Sequence, residues 1–279
     1  MKTLYITDLD GTFLGDDALV SARSAATVTA LSHAGALISV ATARTPATVV
    51  PLMKDTYTTA DMVVMTGAAM WNRPGGRFGE ITLLSPGMAH EVMSGFEGSG
   101  VHPFCYTLTG DRMLDVYHAA PRLNRAEEMF VDLRKGLELK KFHLAQTAPQ
   151  EALDRMALAF AMGPKDAIVA VADRLKETTD CYVSYYKDTY LPDSWLLEVF
   201  ASGVSKAAGV QRLSARLGVD RVVVFGDNLN DIPMMRVATV AVAVDNALDE
   251  TKEAADVIIG PNTSDSVARY IQEDYEKNR

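Results

Sequence analysis

The sequence predicts an α/β protein: a doubly wound, Rossmann-like parallel sheet interrupted by an inserted α/β module. Two observations predict it. Short apolar runs alternate with helical stretches at both ends of the chain, which is the grammar of parallel strands with helices on both faces. That alternation breaks down from about residue 82 to 190, a length that suits a small separate domain. The expected division is therefore a core from residues 1–81 and 190–279, with residues 82–189 as the insertion.

The elements follow in order. Leu4-Tyr5-Ile6 is an apolar run of strand formers. Ser21 can cap a helix that passes through Ala25, Val28 and Leu31 and stops near Gly35, with His33 in its last turn. Leu37–Ala41 is a second strand. Pro46 can sit in the first turn of a second helix that continues through Val49, Val50 and Met53. Met62–Met65 is a third strand, ended by Gly67. The same grammar returns late. A helix from Ser205 to Leu217 stops at Gly218, and Val222–Phe225 is a fully apolar strand. A short helix begins at Asp231, strands lie within Val237–Val244 and Ala254–Ile259, and Ser266–Glu276 closes the chain as a helix. Between these halves, helical stretches (Met88–Gly98, Arg122–Leu133, Lys165–Glu177) mix with strand-like ones (Met113–Tyr117, Ala157–Met162, Cys181–Tyr186). Tyr182, Tyr185 and Tyr186 are expected to alternate across a sheet.

Composition narrows the function classes. The 279 residues are 48% hydrophobic and 23% charged, ordinary for a globular chain. No apolar run reaches the roughly 18 residues of a membrane span, and the N-terminus lacks the apolar core of a signal peptide. A net charge of -9 without a basic face argues against a nucleic-acid partner. Two cysteines imply no disulfide framework, so a cytoplasmic location is expected. Cys105 and Cys181 read as small buried groups, and the five histidines lack metal-ligand spacing.

In open parallel sheets, ligands bind beyond the carboxyl ends of the strands. Those ends carry Asp8-Leu9-Asp10-Gly11-Thr12, Thr42-Ala43-Arg44 and Gly226-Asp227-Asn228-Leu229-Asn230-Asp231. A carboxylate can attack phosphorus if its charge is screened as it approaches an anion. Magnesium screens it and prefers oxygen ligands, which Asp8 and Asp227 can supply. Asp10 can give a proton to a leaving alcohol and later take one from water, and Gly11 permits the turn that places it. The Thr42 hydroxyl can donate to a phosphoryl oxygen. Lys206, at a helix start, is the candidate cation for the equatorial oxygens. Each piece alone is weak: Asp-x-Asp occurs by chance, and a lone helix lysine is usually solvated. Together and in this order they point to phosphoryl chemistry.

These residues resemble the haloacid dehalogenase superfamily of phosphatases. Asp8-Leu9-Asp10-Gly11-Thr12-Phe13-Leu14 is similar to its first motif, Thr42 to its second, Lys206 to its third, and Gly226-Asp227-x-x-Asn230-Asp231 to its fourth. Glu198-Val199 followed by Gly203-Val204-Ser205-Lys206, and Ala243-Val244-Asp245-Asn246-Ala247 followed by Lys252-Glu253-Ala254-Ala255-Asp256, resemble the Cof-type branch, subfamily IIB. The long interval between Thr42 and Lys206 places the inserted cap between the second and third motifs, as in that branch. The resemblance implies Asp8 as nucleophile and metal ligand, and Asp10 as acid/base that holds metal through its backbone carbonyl. It implies Thr42, Arg44, Lys206 and Asn230 as the substrate- and phosphate-binding set. It implies Asp227 on magnesium, with Asp231 either on the metal or holding Lys206 and metal waters. Two departures stand out: Thr66-Gly67-Ala68 where the branch often has Asn-Gly-Ala, and Ala207 where it often has glycine.

The leading expectation is a magnesium-dependent phosphomonoester hydrolase acting on a sugar phosphate or phosphorylated cofactor, as a monomer or homodimer. The alternatives are a sugar phosphotransferase or phosphomutase of the same superfamily, and a non-catalytic phosphometabolite-binding protein. A signalling receiver domain fits less well, because receivers are short, lack the insertion and need no Asp10.

Overall fold

The computed structural model describes residues 1–188, 191 and 193–278. The chain forms two compact units, Met1–Glu80 with Ser205–Arg279, and Ile81–Val204.

The first unit is organised by five strands in the order Val257–Ile259, Val240–Val244, Arg221–Gly226, Thr3–Thr7, Leu37–Val40. Every neighbouring pair is parallel. The middle strands are near-continuous apolar runs because helices leave neither face in water. The chain leaves Thr3–Thr7 in one direction early and returns on its other side with Arg221–Gly226. Thr7 pairs with both Val40 and Phe225, so three strand ends open at one level. Asp8 N–H donates to Phe225 O, and Ala41 N–H to Thr7 O, continuing that alignment by one residue.

The flanking helices start and stop where side chains satisfy their ends. The Ser21 hydroxyl accepts the Ser24 N–H at the head of Ala22–His33, and the Ser205 hydroxyl accepts the Ala208 N–H at the head of Lys206–Leu217. The latter helix ends at Gly218 in the left-handed region.

The third strand departs from expectation. Met62–Val64 joins the parallel sheet through the bridge between Ala41 and Val63 and the bond from Thr42 N–H to Val63 O. Its main partner is Ala69–Asn72, antiparallel, in a three-strand sheet completed by Arg77–Ile81. The cause is a tight reversal, in which Met65, Thr66 and Gly67 all have positive φ, so the chain folds back at once.

The second unit is built on a six-strand sheet ordered Tyr182–Lys187, Trp195–Phe200, Met156–Gly163, Phe104–Thr109, Met113–His118, Lys140–Leu144. Pro86–Gly95 and Lys165–Thr178 cover one face through Val92, Ile168, Val171 and Leu175. The other face carries Phe104, Phe142 and Phe160, with Phe130 of the helix Arg125–Asp132 packed on all three. Tyr185 lies with the first face, while Tyr182 and Tyr186 alternate to the second. The expected division at residues 189/190 falls on positions outside the described set. Beyond it, Trp195–Phe200 pairs with Met156–Gly163, so this unit runs on to Val204. Cys105 is buried and Cys181 half-buried; both are free thiols.

Candidate active site

The strand Thr3–Thr7 delivers Asp8 to its carboxyl end, and the chain then turns sharply. Leu9–Phe13 forms one wide helical turn in which Asp10 and Gly11 break from helical geometry, Gly11 at φ 73°. A side chain at Gly11 is excluded twice over. Its φ is left-handed, and a Cβ there would lie 2.4 Å from Asp227 Oδ2. This glycine lets the turn pass close to the strand end that carries Asp227. Thr12 then donates its hydroxyl to Asp227 Oδ1 at 2.6 Å.

On the neighbouring strand end, Gly226 lets Asp231 fold back, because a Cβ there would lie 2.5 Å from the Asp231 Cβ. Asp231 is fully buried, and its Oδ2 accepts the backbone N–H groups of Asp227 and Asn228 at 3.0 and 3.1 Å. Its Oδ1 accepts Lys206 Nζ at 2.7 Å. Most of the lone-pair capacity of that carboxylate is thus used inside the protein. Lys206 enters from the start of its helix and is 2% exposed. Its Nζ also lies 2.8 Å from Asp8 Oδ1.

The electrostatics follow from burial. Three carboxylates, Asp8, Asp227 and Asp231, place one oxygen each within 4.8 Å of one another. Among the described residues, the ammonium of Lys206 faces them. Burial raises the Asp8 carboxyl to about 8; Lys206 opposes that shift, and Asp231 and Asp227 add to it. Burial also raises Asp227 to about 6, against the Thr12 hydrogen bond and with the repulsion of Asp231. For Lys206, burial alone lowers the pKa, but Asp231 and Asp8 outweigh it and hold the ammonium above the ordinary lysine value. The cluster carries surplus negative charge in a dry setting, and its donors are all oxygens. Such a set fits a hard divalent cation.

Thr42 is buried beside this cluster, and its hydroxyl accepts the Arg44 N–H at 3.2 Å. Its carbonyl accepts the Thr66 N–H at 3.0 Å, which ties the reversal at Met65–Gly67 to this strand end. The Asp10 side chain is 53% exposed. Arg44 grips it in a two-point ion pair, Nε to Oδ2 at 2.7 Å and Nη2 to Oδ1 at 2.5 Å. Asn230 is exposed on the short helical turn Leu229–Asp231.

The structure thus brings Asp8, Lys206, Asp227 and Asp231 into one hydrogen-bonded cluster, sets Thr42 at the adjoining strand end and places Arg44 on Asp10. Sequence reasoning missed the supporting residues. Asn228 caps its turn by accepting the Leu229 N–H. Asn246 donates to Gly11 O at 2.7 Å, and Asn262 donates to Leu14 O at 2.8 Å, so two asparagines hold the turn after Asp8. The Asp245-Asn246 pair was visible as a pattern, but nothing local tells which backbone carbonyl it reaches.

The sequence profile of the haloacid dehalogenase-like hydrolases matches residues 5–271. The chain is 24% identical over 281 residues to the 5-amino-6-(5-phospho-D-ribitylamino)uracil phosphatase YitU of Bacillus subtilis (strain 168), covering 97% of this chain and 96% of that one. Its fold is similar to that of a haloacid dehalogenase-like hydrolase from Bacteroides thetaiotaomicron (TM-score 0.76, 21% identity, 98% of this chain and 100% of the other). It is also similar to that of a sugar phosphatase of HAD subclass IIB (TM-score 0.74, 19% identity, 99% of each chain).

Proposed function

The chain belongs to the haloacid dehalogenase-like hydrolases, and from that premise we propose that it is a magnesium-dependent phosphatase of small phosphorylated metabolites that carries the phosphoryl group on Asp8. The observation that carries the reading is the buried cluster of Asp8, Asp227 and Asp231 around Lys206. A purely structural role would leave those carboxylates paired one to one or replaced by apolar groups, because unneutralised buried charge is costly.

The roles follow from position. The Asp8 carboxylate attacks phosphorus, and the bond to the leaving oxygen breaks. Lys206 Nζ, anchored by Asp231, stays beside Asp8 and offers its remaining N–H to a phosphoryl oxygen. The Thr42 hydroxyl donates to another such oxygen, and Asn230 lies on the turn that follows Asp227. Asp10 protonates the departing alkoxide, then takes a proton from the water that cleaves the aspartyl-phosphate and frees Asp8. Asp8 and Asp227, with the Asp10 backbone carbonyl, would hold magnesium. Bound there, it screens the negative charges of nucleophile and phosphate from one another. Asp231 serves chiefly to hold Lys206 and the Asp227 turn, since its oxygens are already engaged.

The substrate class is proposed from the relatives. One acts on a phosphorylated ribityl compound and a structural neighbour is a sugar phosphatase, so a phosphate on a polyhydroxylated carbon chain is the expected ester. The test is phosphate release from a panel of sugar phosphates, sugar-alcohol phosphates and phosphorylated cofactors, with magnesium and with a chelator. Metal-dependent release from one class supports the reading. Release unchanged by the chelator, or from no compound, refutes it.

A further inference from the structure

The turn that carries Asp10 is fixed in its backbone but not, by its own packing, in its side chain. Leu14 N–H closes onto Leu9 O at 2.9 Å, Asn246 holds Gly11 O, and Thr12 is tied to Asp227. The Asp10 side chain nevertheless stands 53% exposed. An exposed aspartate samples several rotamers, and a proton donor must point at the departing oxygen to be useful. Arg44 removes that freedom. Its guanidinium engages both Asp10 oxygens through Nε and Nη2, a fork that fixes the carboxylate plane as well as its place. Arg44 is itself held by its own backbone: its N–H bonds to Thr42 Oγ1 and its carbonyl accepts the Met65 N–H. The fork is thus built on the same strand end as Thr42.

We propose that Arg44 is a positioning residue, which acts by orienting the Asp10 carboxylate toward the leaving group through this two-point ion pair. This rests on the reading of Asp10 as acid/base and differs from a direct grip on the phosphate. A phosphate grip stabilises every substrate alike. An orienting role matters in proportion to how much the leaving group needs a proton.

Two esters separate these cases. 4-Nitrophenyl phosphate releases a weakly basic phenolate that departs with little help, whereas an alkyl phosphate such as a sugar phosphate must be protonated as it leaves. For Arg44→Ala, the kcat/KM on the alkyl ester, which reads only as far as departure of the alcohol and not the later hydrolysis of the aspartyl-phosphate, should fall by about tenfold or more, within the range general acid catalysis supplies. The kcat/KM on the aryl ester should fall by less than about threefold, and inhibition by inorganic phosphate should hold within about twofold. Arg44→Lys should recover only part of the loss, because an ammonium cannot reproduce the fork. Added guanidinium ion should rescue Arg44→Ala on the alkyl ester. In an Asp10→Asn background, Arg44→Ala should cost little more, since the two losses share one cause. Equal losses on both esters with weakened phosphate inhibition would place Arg44 on the phosphate and overturn the proposal. Additive losses with Asp10→Asn, or no loss on either ester, would also overturn it. Should Asp10→Asn itself show no preference for hurting the alkyl ester, the acid/base reading fails first, and that outcome is distinct from the others.

Discussion

Replacing Lys206 with methionine keeps the length of the side chain and removes its charge. Lys206 Nζ lies 2.7 Å from Asp231 and 2.8 Å from Asp8, with all three side chains at most 8% exposed. At an effective dielectric of about 20, each contact is worth about 6 kcal/mol of gross attraction. Most of that offsets the cost of burying the charges, and breaking such a pair from one side costs about 3–5 kcal/mol net. Against a total stability of about 5–15 kcal/mol, that loss is large. Its pH dependence has a definite sign. The folded Asp8 carboxyl already sits at about 8, above its unfolded value of 3.8, so ionising it opposes folding. Without Lys206 it rises further. Both native proteins keep the Asp8 proton up to about pH 8 and lose stability alike as pH rises to there; above it the wild-type carboxyl ionises while that of the variant stays protonated, so the deficit grows. Lys206 itself, raised in the fold, is charged in both states up to about pH 9 and adds no slope there. Urea denaturation of both proteins in chelator, at about pH 9 and about pH 5.5, reads the difference. The expected deficit of Lys206→Met is about 3–5 kcal/mol at the higher pH and clearly smaller at the lower. A deficit below about 1 kcal/mol, or one that does not change with pH, would refute the claim that this lysine neutralises buried carboxylates.

Other perturbations probe separate parts of the account. Gly11→Ala drives a Cβ against Asp227 and demands a left-handed alanine; it should cost about 1–3 kcal/mol in denaturant and raise the magnesium needed for half activity, and a silent variant would contradict the packing. Asp227→Ala should weaken magnesium activation by at least about tenfold, while Asp10→Ala slows turnover with metal affinity largely kept; equal metal loss in both would contradict the role given to the Asp10 side chain. Lys140 lies 5% exposed over the Tyr106, Phe130 and Phe142 rings, and burial, helped by the charge of Arg134, pushes its ammonium down to about 7. Since the unfolded lysine stays charged to about pH 10, the penalty is fullest below pH 7 and fades as pH rises. Lys140→Met should therefore be more stable than wild type near pH 6, on the order of 2 kcal/mol, with the gain shrinking toward pH 10; a loss of stability near pH 6 would mean the cation-π contacts outweigh desolvation.

The core was legible because its signals are local and redundant. Apolar runs such as Val222–Phe225 read as buried parallel strands, and Ser21, Ser205 and Gly218 mark helix ends by chemistry that acts within a few residues. Asp8 and Asp227 were legible because strand ends are where a parallel sheet gathers its ligands, and Lys206 because phosphoryl chemistry calls for a cation that a helix start can present. What escaped depends on partners distant in sequence. Phe104–Thr109, Lys140–Leu144 and Trp195–Phe200 are strands that the mixed middle of the chain hid, since their identity comes from pairing across the second unit. The antiparallel turn-back after Met62–Val64 was hidden because Met65 and Thr66 adopt left-handed φ that side chains of their kind do not announce. The grip of Arg44 on Asp10 spans 34 residues, and the Asn246 hold on Gly11 spans 235. No periodicity carries such contacts.

The central claim is that Asp8 takes the phosphoryl group. The most direct measurement is acid quenching of the protein during turnover of its preferred ester with magnesium, followed by mass spectrometry of the peptide that contains Asp8. The account predicts a phosphoryl adduct on Asp8 that is lost on longer incubation, and no adduct or phosphate release from Asp8→Asn. Full phosphate release by Asp8→Asn, or an adduct mapped to another residue, would contradict it.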